Sequence, residues 1–321
     1  MPYACGVNIL VIGGTRFVGR AIVSSLLSRG HQVTLFHRGQ TGADLFPEVT
    51  HIHGDRLTDL SLLEGQWDAV IDTCGYFPRA IKLLADQLAS RTSFMLFIST
   101  ISVYEDADRL DEDAARLTLS DESVEVVTGE TYGGLKALCE DELLRAWGDR
   151  CAIVRPTVVV GPDDYTDRFT YWPAKFTEQE QVLVPDAGET LIQWIDARDL
   201  ADFCTLLVEQ KKSCVVNGAG PFQPVRFSEF IAACASVGTA QAVVRPLTEL
   251  AEAGVEAWTD LPVLNVESKL FQVSTARAEE LGLKIRPLEE TLRGIIAWRK
   301  EIGYPPLKTG LSAEREVELI K

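Results

Sequence analysis

The sequence predicts an α/β fold with a doubly wound parallel sheet, followed by a smaller, mainly helical C-terminal lobe. Three observations support this prediction. In the first half of the chain, short apolar runs alternate with amphipathic helical segments, as in sheets that helices cover on both faces. The first apolar run breaks into paired glycines before a helix. Beyond Gly161 the alternation stops, and a stretch rich in aromatic and charged residues follows.

Each element of the first lobe is predicted from an apolar run or a helical stripe. The predicted strands are, in order, 7–12, 31–36, 49–53, 68–72, 93–98 and 151–154. The predicted helices follow the glycines, span 78–89 and begin at Thr131. A short helix capped by Thr58 or Asp59 is expected through Leu63. Residues 1–165, rejoined by 196–217, form the first lobe, and residues 166–195 and 218–321 form the second.

Composition excludes several classes of function. The chain has 321 residues and a formal net charge of -16, which offers no electrostatic footprint for a nucleic acid. No stretch is long and apolar enough for a bilayer, and no export signal is evident, so we expect a cytoplasmic protein. Seven cysteines without Cys-x-x-Cys spacing favour reduced, mostly buried thiols. A small-molecule substrate is the expected partner.

The glycine turn is the first candidate binding feature. Gly13 and Gly14 follow a strand and let the backbone approach a ligand, and Gly19 lets the next helix pack closely. The helix N-terminus then faces the turn, which suits a pyrophosphate and predicts a Rossmann-type dinucleotide site. The alternative is a plain strand-to-helix turn. The binding segment comprises Gly13, Gly14, Thr15, Arg16, Phe17, Val18 and Gly19.

The end of the second strand carries His37 and Arg38 and no carboxylate. In dinucleotide folds an acidic residue here binds the ribose hydroxyls, whereas an arginine accommodates a 2′-phosphate. Arg38 therefore favours NADP over NAD, unless it is simply a solvated arginine. Asp55 and Arg56 follow the third strand and are candidates for the adenine edge.

Two histidines lie close together near the third strand. His51 and His53 alternate along it, which places both on one face of the sheet. No partner cluster with metal spacing is evident beside them in the sequence, which favours a structural role and no metal.

A tyrosine and a lysine four residues apart open the helix that begins at Thr131. Tyr132 and Lys136 share one helical face, where the ammonium can lie close to the path of the phenolic proton. A tyrosine that acts as a base near neutrality needs a pKa about two to three units below 10, and adjacent positive charge lowers it. The acidic segment 105–130 before this helix is interpreted as a solvated surface loop, with a lid as the alternative.

Four segments together resemble the extended and atypical short-chain dehydrogenase/reductase superfamily, including members described as epimerase/dehydratase-like or isoflavone-reductase-like. They are GGTRFVG, STISVY, Tyr132-x-x-x-Lys136, and Arg155-Pro156 with Gly161-Pro162. The resemblance implies that Thr100 binds the reacting oxygen, Tyr132 is the acid/base, and Lys136 lowers the tyrosine pKa and holds the nicotinamide ribose. It also implies cofactor contacts by Cys74, Ser99 and Pro156, and a homodimer as one candidate assembly.

Departures from the resemblance narrow the expected reaction. Sugar-nucleotide dehydratases place Asp-Glu after the threonine, but Ile101 and Ser102 stand here, which counts against dehydration. Many nucleotide-sugar epimerases carry asparagine where this chain has Val158, which counts against a nucleotide sugar. The sequence favours an NAD(P)-dependent oxidoreductase; the alternatives are an epimerase-like isomerase with tightly held NAD and a non-catalytic NADP-binding sensor.

Overall fold

The computed structural model of the protein describes residues 6–105, 110–266 and 269–321. The chain divides into two compact units. Unit 1 comprises residues 1–157, 198–219 and 273–284, and unit 2 comprises residues 158–197, 220–272 and 285–321. Among the described residues, no helix has the length and apolar character required to cross a bilayer.

The elements of both units are numbered in chain order. The strands are β1 (Asn8–Ile12), β2 (Gln32–His37), β3 (Thr50–His53), β4 (Trp67–Asp72), β5 (Thr92–Ile98), β6 (Cys151–Pro156), β7 (Val158–Val160), β8 (Gln181–Asp186), β9 (Leu191–Asp196), β10 (Cys214–Gly218), β11 (Gly220–Arg226) and β12 (Gln241–Pro246). The helices are α1 (Phe17–Ser28), α2 (Pro78–Leu88), α3 (Tyr132–Trp147), α4 (Tyr171–Glu178), α5 (Ala197–Gln210), α6 (Phe227–Ser236), α7 (Leu247–Glu252), α8 (Ala276–Glu280), α9 (Leu288–Glu301) and α10 (Ala313–Ile320).

Unit 1 contains a seven-stranded parallel sheet in the order β10-β6-β5-β4-β1-β2-β3. The chain winds outward from β1 in both directions, so the predicted doubly wound sheet is confirmed. Every residue from Ile9 to Ile12 is buried, because both faces of the sheet are covered. The continuous apolar runs in the sequence have this physical origin.

Two later segments of the chain complete unit 1. The strand β10 pairs in parallel with β6, which brings residues 214–218 back to the sheet of unit 1. Residues 273–284 also belong to unit 1, whereas the sequence predicts them in the second lobe. The Arg277 guanidinium donates to the Val215 carbonyl at 3.0 Å, and the Asn217 amide donates to the Ser274 carbonyl at 3.0 Å. These bonds join residues that are far apart in the sequence, so no local sequence pattern predicts them.

Unit 2 combines helices with two small sheets. Its strands form the sheets β11-β9-β7 and β12-β8. None of these five strands was predicted from the sequence, and neither was α10. The strand β11 is interrupted by a register shift, and its pairing with β9 depends on residues about thirty positions apart. Such pairing leaves a weak periodic signal in the sequence.

Two local predictions differ in part from the structure. The segment through Leu63 is a single short 3-10 turn, and the Asp59 carboxylate does not cap it; it accepts a bond from the Asp55 amide at 2.7 Å. Residues 106–109 of the acidic segment lie outside the described residues. The part from Leu110 to Leu117 is only partly solvated: Leu110 and Glu112 are buried, Asp113, Ala115 and Leu117 are exposed, and the Leu117 amide donates to the Val103 carbonyl. Residues 120–130 are mostly exposed, as predicted for a surface loop.

Candidate functional site

The glycine turn after β1 depends on the absence of side chains. Gly13 and Gly14 have φ angles of 98° and 92°, which L-residues with a side chain rarely adopt. A Cβ on Gly13 would lie 2.4 Å from the Thr73 hydroxyl, and one on Gly19 would lie 2.9 Å from both Cα and N of Gly14. The first turn of α1 therefore packs directly on the backbone of the turn. This tight cradle at a helix N-terminus fits a dinucleotide pyrophosphate.

The residues predicted at the adenosine end are in three different environments. Arg38 is exposed at the end of β2. His37 is buried, and its ring bonds to His51 and to the Gly39 amide. The Asp55 carboxylate accepts a bond from the Leu57 amide at 2.9 Å and so stabilises its own turn. Their roles toward a cofactor stay predictions.

Arg56 makes a buried ion pair that the sequence analysis missed. Its two terminal nitrogens donate to the two carboxylate oxygens of Asp72 at 2.8 and 2.7 Å. Burial would raise the pKa of Asp72, but the Arg56 guanidinium holds it below its usual value. The same carboxylate accepts from the Cys74 amide at 2.9 Å, and Arg56 also lies 3.5 Å from the Cys74 sulfur. The pair thus fixes the turn after β4. The adenine-edge role of Arg56 stays a prediction.

Cys74 is a neutral thiol in this turn. Burial raises the pKa of its thiol above the ordinary value, an effect that the Arg56 charge only partly opposes. The six cysteines in the described part of the chain form no disulfide, and four of them are buried.

Lys136 connects the carboxyl ends of two inner strands. Its ammonium group donates to the carbonyls of Gly75 and Ile98, each at 2.7 Å, and lies 4.0 Å from the centroid of the Phe97 ring. The residue is 3% exposed. Burial lowers the pKa of Lys136 to about 8, although the negative charges of Asp72 and Glu140 act in the opposite direction. A positive charge is therefore held at a defined place beside the end of β5.

Thr100 lies two residues beyond the Ile98 carbonyl. Its hydroxyl accepts from the Ser102 amide and donates to the Ser102 hydroxyl, both at 3.1 Å, and so begins the short 3-10 turn that follows β5. The structure therefore shows a capping role for Thr100; its predicted bond to a reacting oxygen stays a prediction.

Tyr132 is brought to this turn by close backbone packing. It is the first residue of α3 and is half-buried. A Cβ on the next residue, Gly133, would lie 2.0 Å from the Ser102 carbonyl oxygen, so only glycine allows α3 to begin here. Tyr132 and Thr100 thus stand on two segments in direct contact, and Lys136 lies one helical turn further along α3.

A second buried ionic network holds α3 against β5 and β6. Glu140 is fully buried, and its carboxylate accepts hydrogen bonds from Nε and Nη2 of Arg155 at 2.9 and 2.6 Å. It also accepts from the Ser99 hydroxyl at 2.5 Å and from Arg116 at 3.1 Å. Arg155 further donates to the hydroxyl of Tyr104, whose pKa burial raises to about 12. Ser99, a predicted cofactor contact, is thus a positioning group for α3 in this structure.

The signal for this network was present in the sequence. Glu140 stands beside Cys139 in the buried stripe of α3, and Arg155 stands inside an apolar strand. Charged residues are seldom buried unless paired, so such positions indicate partners. Pro156, another predicted cofactor contact, is buried at the end of β6 opposite Gly218.

The histidines form a cluster of three rather than a pair. His51 and His53 lie on one face, as predicted, but His37 joins them from the neighbouring strand. One ring nitrogen from each residue lies within 4.8 Å of the other two. The expectation that no partner accompanies His51 and His53 is wrong, because parallel pairing of β2 and β3 brings together residues 14 positions apart.

Comparisons with known proteins agree with this geometry. Residues 9–93 and 81–219 match the NAD dependent epimerase/dehydratase family. The chain belongs to this family. Because these segments cover most of unit 1, the resemblance to the extended short-chain dehydrogenase/reductase superfamily is confirmed.

Three similar proteins illustrate the range of relatives. The chloroplast stem-loop binding protein of 41 kDa b from Arabidopsis thaliana is 27% identical over 253 residues, which are 72% of this chain and 63% of that protein. The structure of the Bordetella bronchiseptica enzyme WbmH in complex with NAD+ has a TM-score of 0.68 at 18% identity, over 92% of this chain and 99% of that one. The UDP-N-acetylglucosamine 4-epimerase from Bacillus cereus has a TM-score of 0.67 at 18% identity, over 94% of this chain and 99% of that one. These two structures share the fold.

Proposed function

We propose that the protein is an NAD(P)-dependent oxidoreductase that transfers hydride at a carbonyl or hydroxyl carbon, with Tyr132 as the acid/base. One observation supports this above all: the Lys136 ammonium is fixed between the carbonyls of Gly75 and Ile98, one helical turn from Tyr132. A buried lysine that lacks a carboxylate contact is costly. A function that uses its charge explains why the chain keeps it there.

The protein residues divide the chemistry between them. Thr100 donates a hydrogen bond to the reacting oxygen, and Tyr132 accepts or donates the proton of that oxygen. Lys136 stabilises the phenolate form of Tyr132 through its positive charge. When bound, the nicotinamide ring accepts or supplies the hydride.

The glycine turn supports dinucleotide binding, and Arg38 supports NADP. WbmH was solved with NAD+, so NAD is the competing cofactor. Titrating NAD and NADP separately into the unmodified protein and into Arg38→Ala shows which of the two cofactors the protein prefers. We expect NADP to bind more tightly and Arg38→Ala to lose that preference. Tighter NAD binding that is unaffected by Arg38→Ala would show that the choice does not depend on this residue.

Three other functions compete with this proposal. An epimerase-like isomerase, favoured by the Bacillus cereus neighbour, returns the hydride to its own substrate and holds NAD tightly. Stem-loop binding, the property named for the Arabidopsis relative, would require phosphate contacts that a net charge of -16 does not favour. A non-catalytic sensor would bind NADP without turnover.

The catalytic role of Tyr132 is tested by Tyr132→Phe. A panel of ketones, secondary alcohols and UDP-sugars is offered as substrates, each with NAD and with NADP. Hydride transfer is measured by nicotinamide absorbance, and epimerisation by the stereochemistry of the recovered sugar. We expect the variant to lose about 10²–10⁴ in kcat, since general acid/base catalysis contributes that much. Tyr304→Phe, an exposed position in unit 2, is the matched control. Full turnover by Tyr132→Phe, or no binding of either dinucleotide, would contradict the proposal.

A further inference from the structure

The three clustered histidines lie on one face at the edge of the sheet. Parallel pairing sets His37 beside His53, and His51 lies two residues earlier on the same strand as His53. Ring centroids of His37 lie 5.1 Å from those of His51 and 4.8 Å from those of His53. His37 is buried, His51 is half-buried and His53 is exposed. The cluster therefore has a fixed inner side and an open outer side.

The hydrogen-bond partners assign the protons on two of the rings. The Phe46 carbonyl can only accept, so the His51 Nε2 that lies 3.1 Å from it carries a proton. The Gly39 amide can only donate, so the His37 Nδ1 that lies 3.1 Å from it carries none. His37 Nε2 then donates to His51 Nδ1 at 2.9 Å. His51 thus turns a lone pair toward the cluster and is oriented by a backbone carbonyl.

We propose that His37, His51 and His53 form a binding site for Zn²⁺. Imidazole nitrogen is a preferred zinc ligand, and a histidine ligand usually donates its other N–H to a carbonyl, as His51 does to Phe46. Zinc–nitrogen bonds of about 2.0–2.1 Å place two tetrahedral ligands about 3.3 Å apart. The His37 and His51 nitrogens lie 2.9 Å apart, so they need to separate only slightly to reach the spacing of two zinc ligands. One ring nitrogen of the exposed His53 lies within 4.8 Å of the other two nitrogens, so the His53 side chain can move in as the third ligand.

Zinc binding at this site changes the position of one proton. Binding through His37 Nε2 moves the His37 proton to Nδ1, and the Gly39 amide loses that acceptor. The net proton count of this ring is unchanged, the metal stays divalent, and a water molecule takes the fourth position. The lost bond costs about 1 kcal/mol, which is small beside the binding energy of zinc to imidazoles.

Charge also favours a cation as the occupant, because the overall charge of -16 attracts a cation rather than an anion.

The experiment is a titration of metal-free, full-length protein with Zn²⁺ by calorimetry, with Co²⁺ absorption as a second probe of tetrahedral coordination. We expect one zinc ion per chain and a rise in Tm. His51→Ala and His53→Ala should each weaken binding by about tenfold or more and lose the rise in Tm. His31→Ala is the matched control, because this histidine bonds to Glu209 outside the cluster. It should bind zinc like the unmodified protein.

His53 is exposed, so its replacement removes little buried packing and separates a loss of zinc binding from a folding defect. Absence of saturable zinc binding would overturn the proposal. Binding that His51→Ala and His53→Ala leave unchanged would also overturn it and would point to the thiols instead. None of these measurements uses a substrate or a dinucleotide, so the result does not depend on the proposed oxidoreductase activity.

Discussion

The inner strands and the edge strands of the seven-stranded sheet hold their polar side chains by different means. Beside β4, β5 and β6, two arginines form ion pairs with buried carboxylates, Arg56 with Asp72 and Arg155 with Glu140, and the Lys136 ammonium is fixed by two backbone carbonyls. At the edge, beside β2 and β3, neutral imidazoles share single hydrogen bonds. An unpaired charge in the interior is costly, whereas a neutral hydrogen bond can be exchanged for another. The inner region therefore holds its polar groups in a fixed geometry, whereas the edge suits binding that rearranges its groups.

The largest expected effect tests the inner region. Among the described residues, Arg155→Met leaves the fully buried Glu140 carboxylate with only Ser99 and Arg116 as side-chain donors. Breaking a buried ion pair costs about 3–5 kcal/mol, so we expect the free energy of unfolding, measured with denaturant, to fall by that amount. Lys82→Met, which removes an exposed pair with Asp86, is the control and should change stability by less than about 1 kcal/mol.

A double variant sharpens this test. Glu140→Leu combined with Arg155→Met removes both charges, so it should cost less than the sum of the two single variants. If the two costs simply add, Glu140 and Arg155 are not coupled. The inner region would then resemble the edge.

The intermediate effect concerns the glycine turn after β1, which lies between the two regions of the sheet. This turn is held in place by backbone packing and not by ion pairs. Gly19→Ala places a methyl group 2.9 Å from the Gly14 backbone, which cannot move aside as a side chain can. We expect a loss of about 1–3 kcal/mol in stability and weaker dinucleotide binding. Gly129→Ala, where an added Cβ meets no atom within 4 Å, is the control. Equal behaviour of the two variants would show that the turn tolerates rearrangement.

The sequence predicted the parts of the molecule that local patterns encode. Apolar runs located the strands of the sheet, and Gly13, Gly14 and Gly19 marked a turn whose backbone does require glycine. Arg56 shows where local patterns fail: its ion pair with Asp72 spans 16 residues and exists only after β3 and β4 are in place.

The histidine cluster shows the same limit. Alternation along β3 predicts that His51 and His53 share a face, but the third member depends on the register of β2 against β3. A slip of one residue would turn His37 to the other face. Register is set by the packing of the whole sheet and by the loop between the strands, neither of which a short pattern contains.

The smallest expected effect tests the edge region through pH. The folded-state pKa of His37 lies below its ordinary value of about 6.5, so the unfolded chain binds more protons as the pH falls below that value. His37 therefore contributes stability that is present above about pH 6.5 and is lost on acidification through its lowered pKa. We expect the free energy of unfolding to fall as the pH is lowered through and below about 6.5, and His37→Gln to reduce this fall. His31→Gln, outside the cluster, should retain it. A fall of the same size in His37→Gln would mean that other groups cause it, and that the neutral imidazoles do not distinguish the edge from the inner strands.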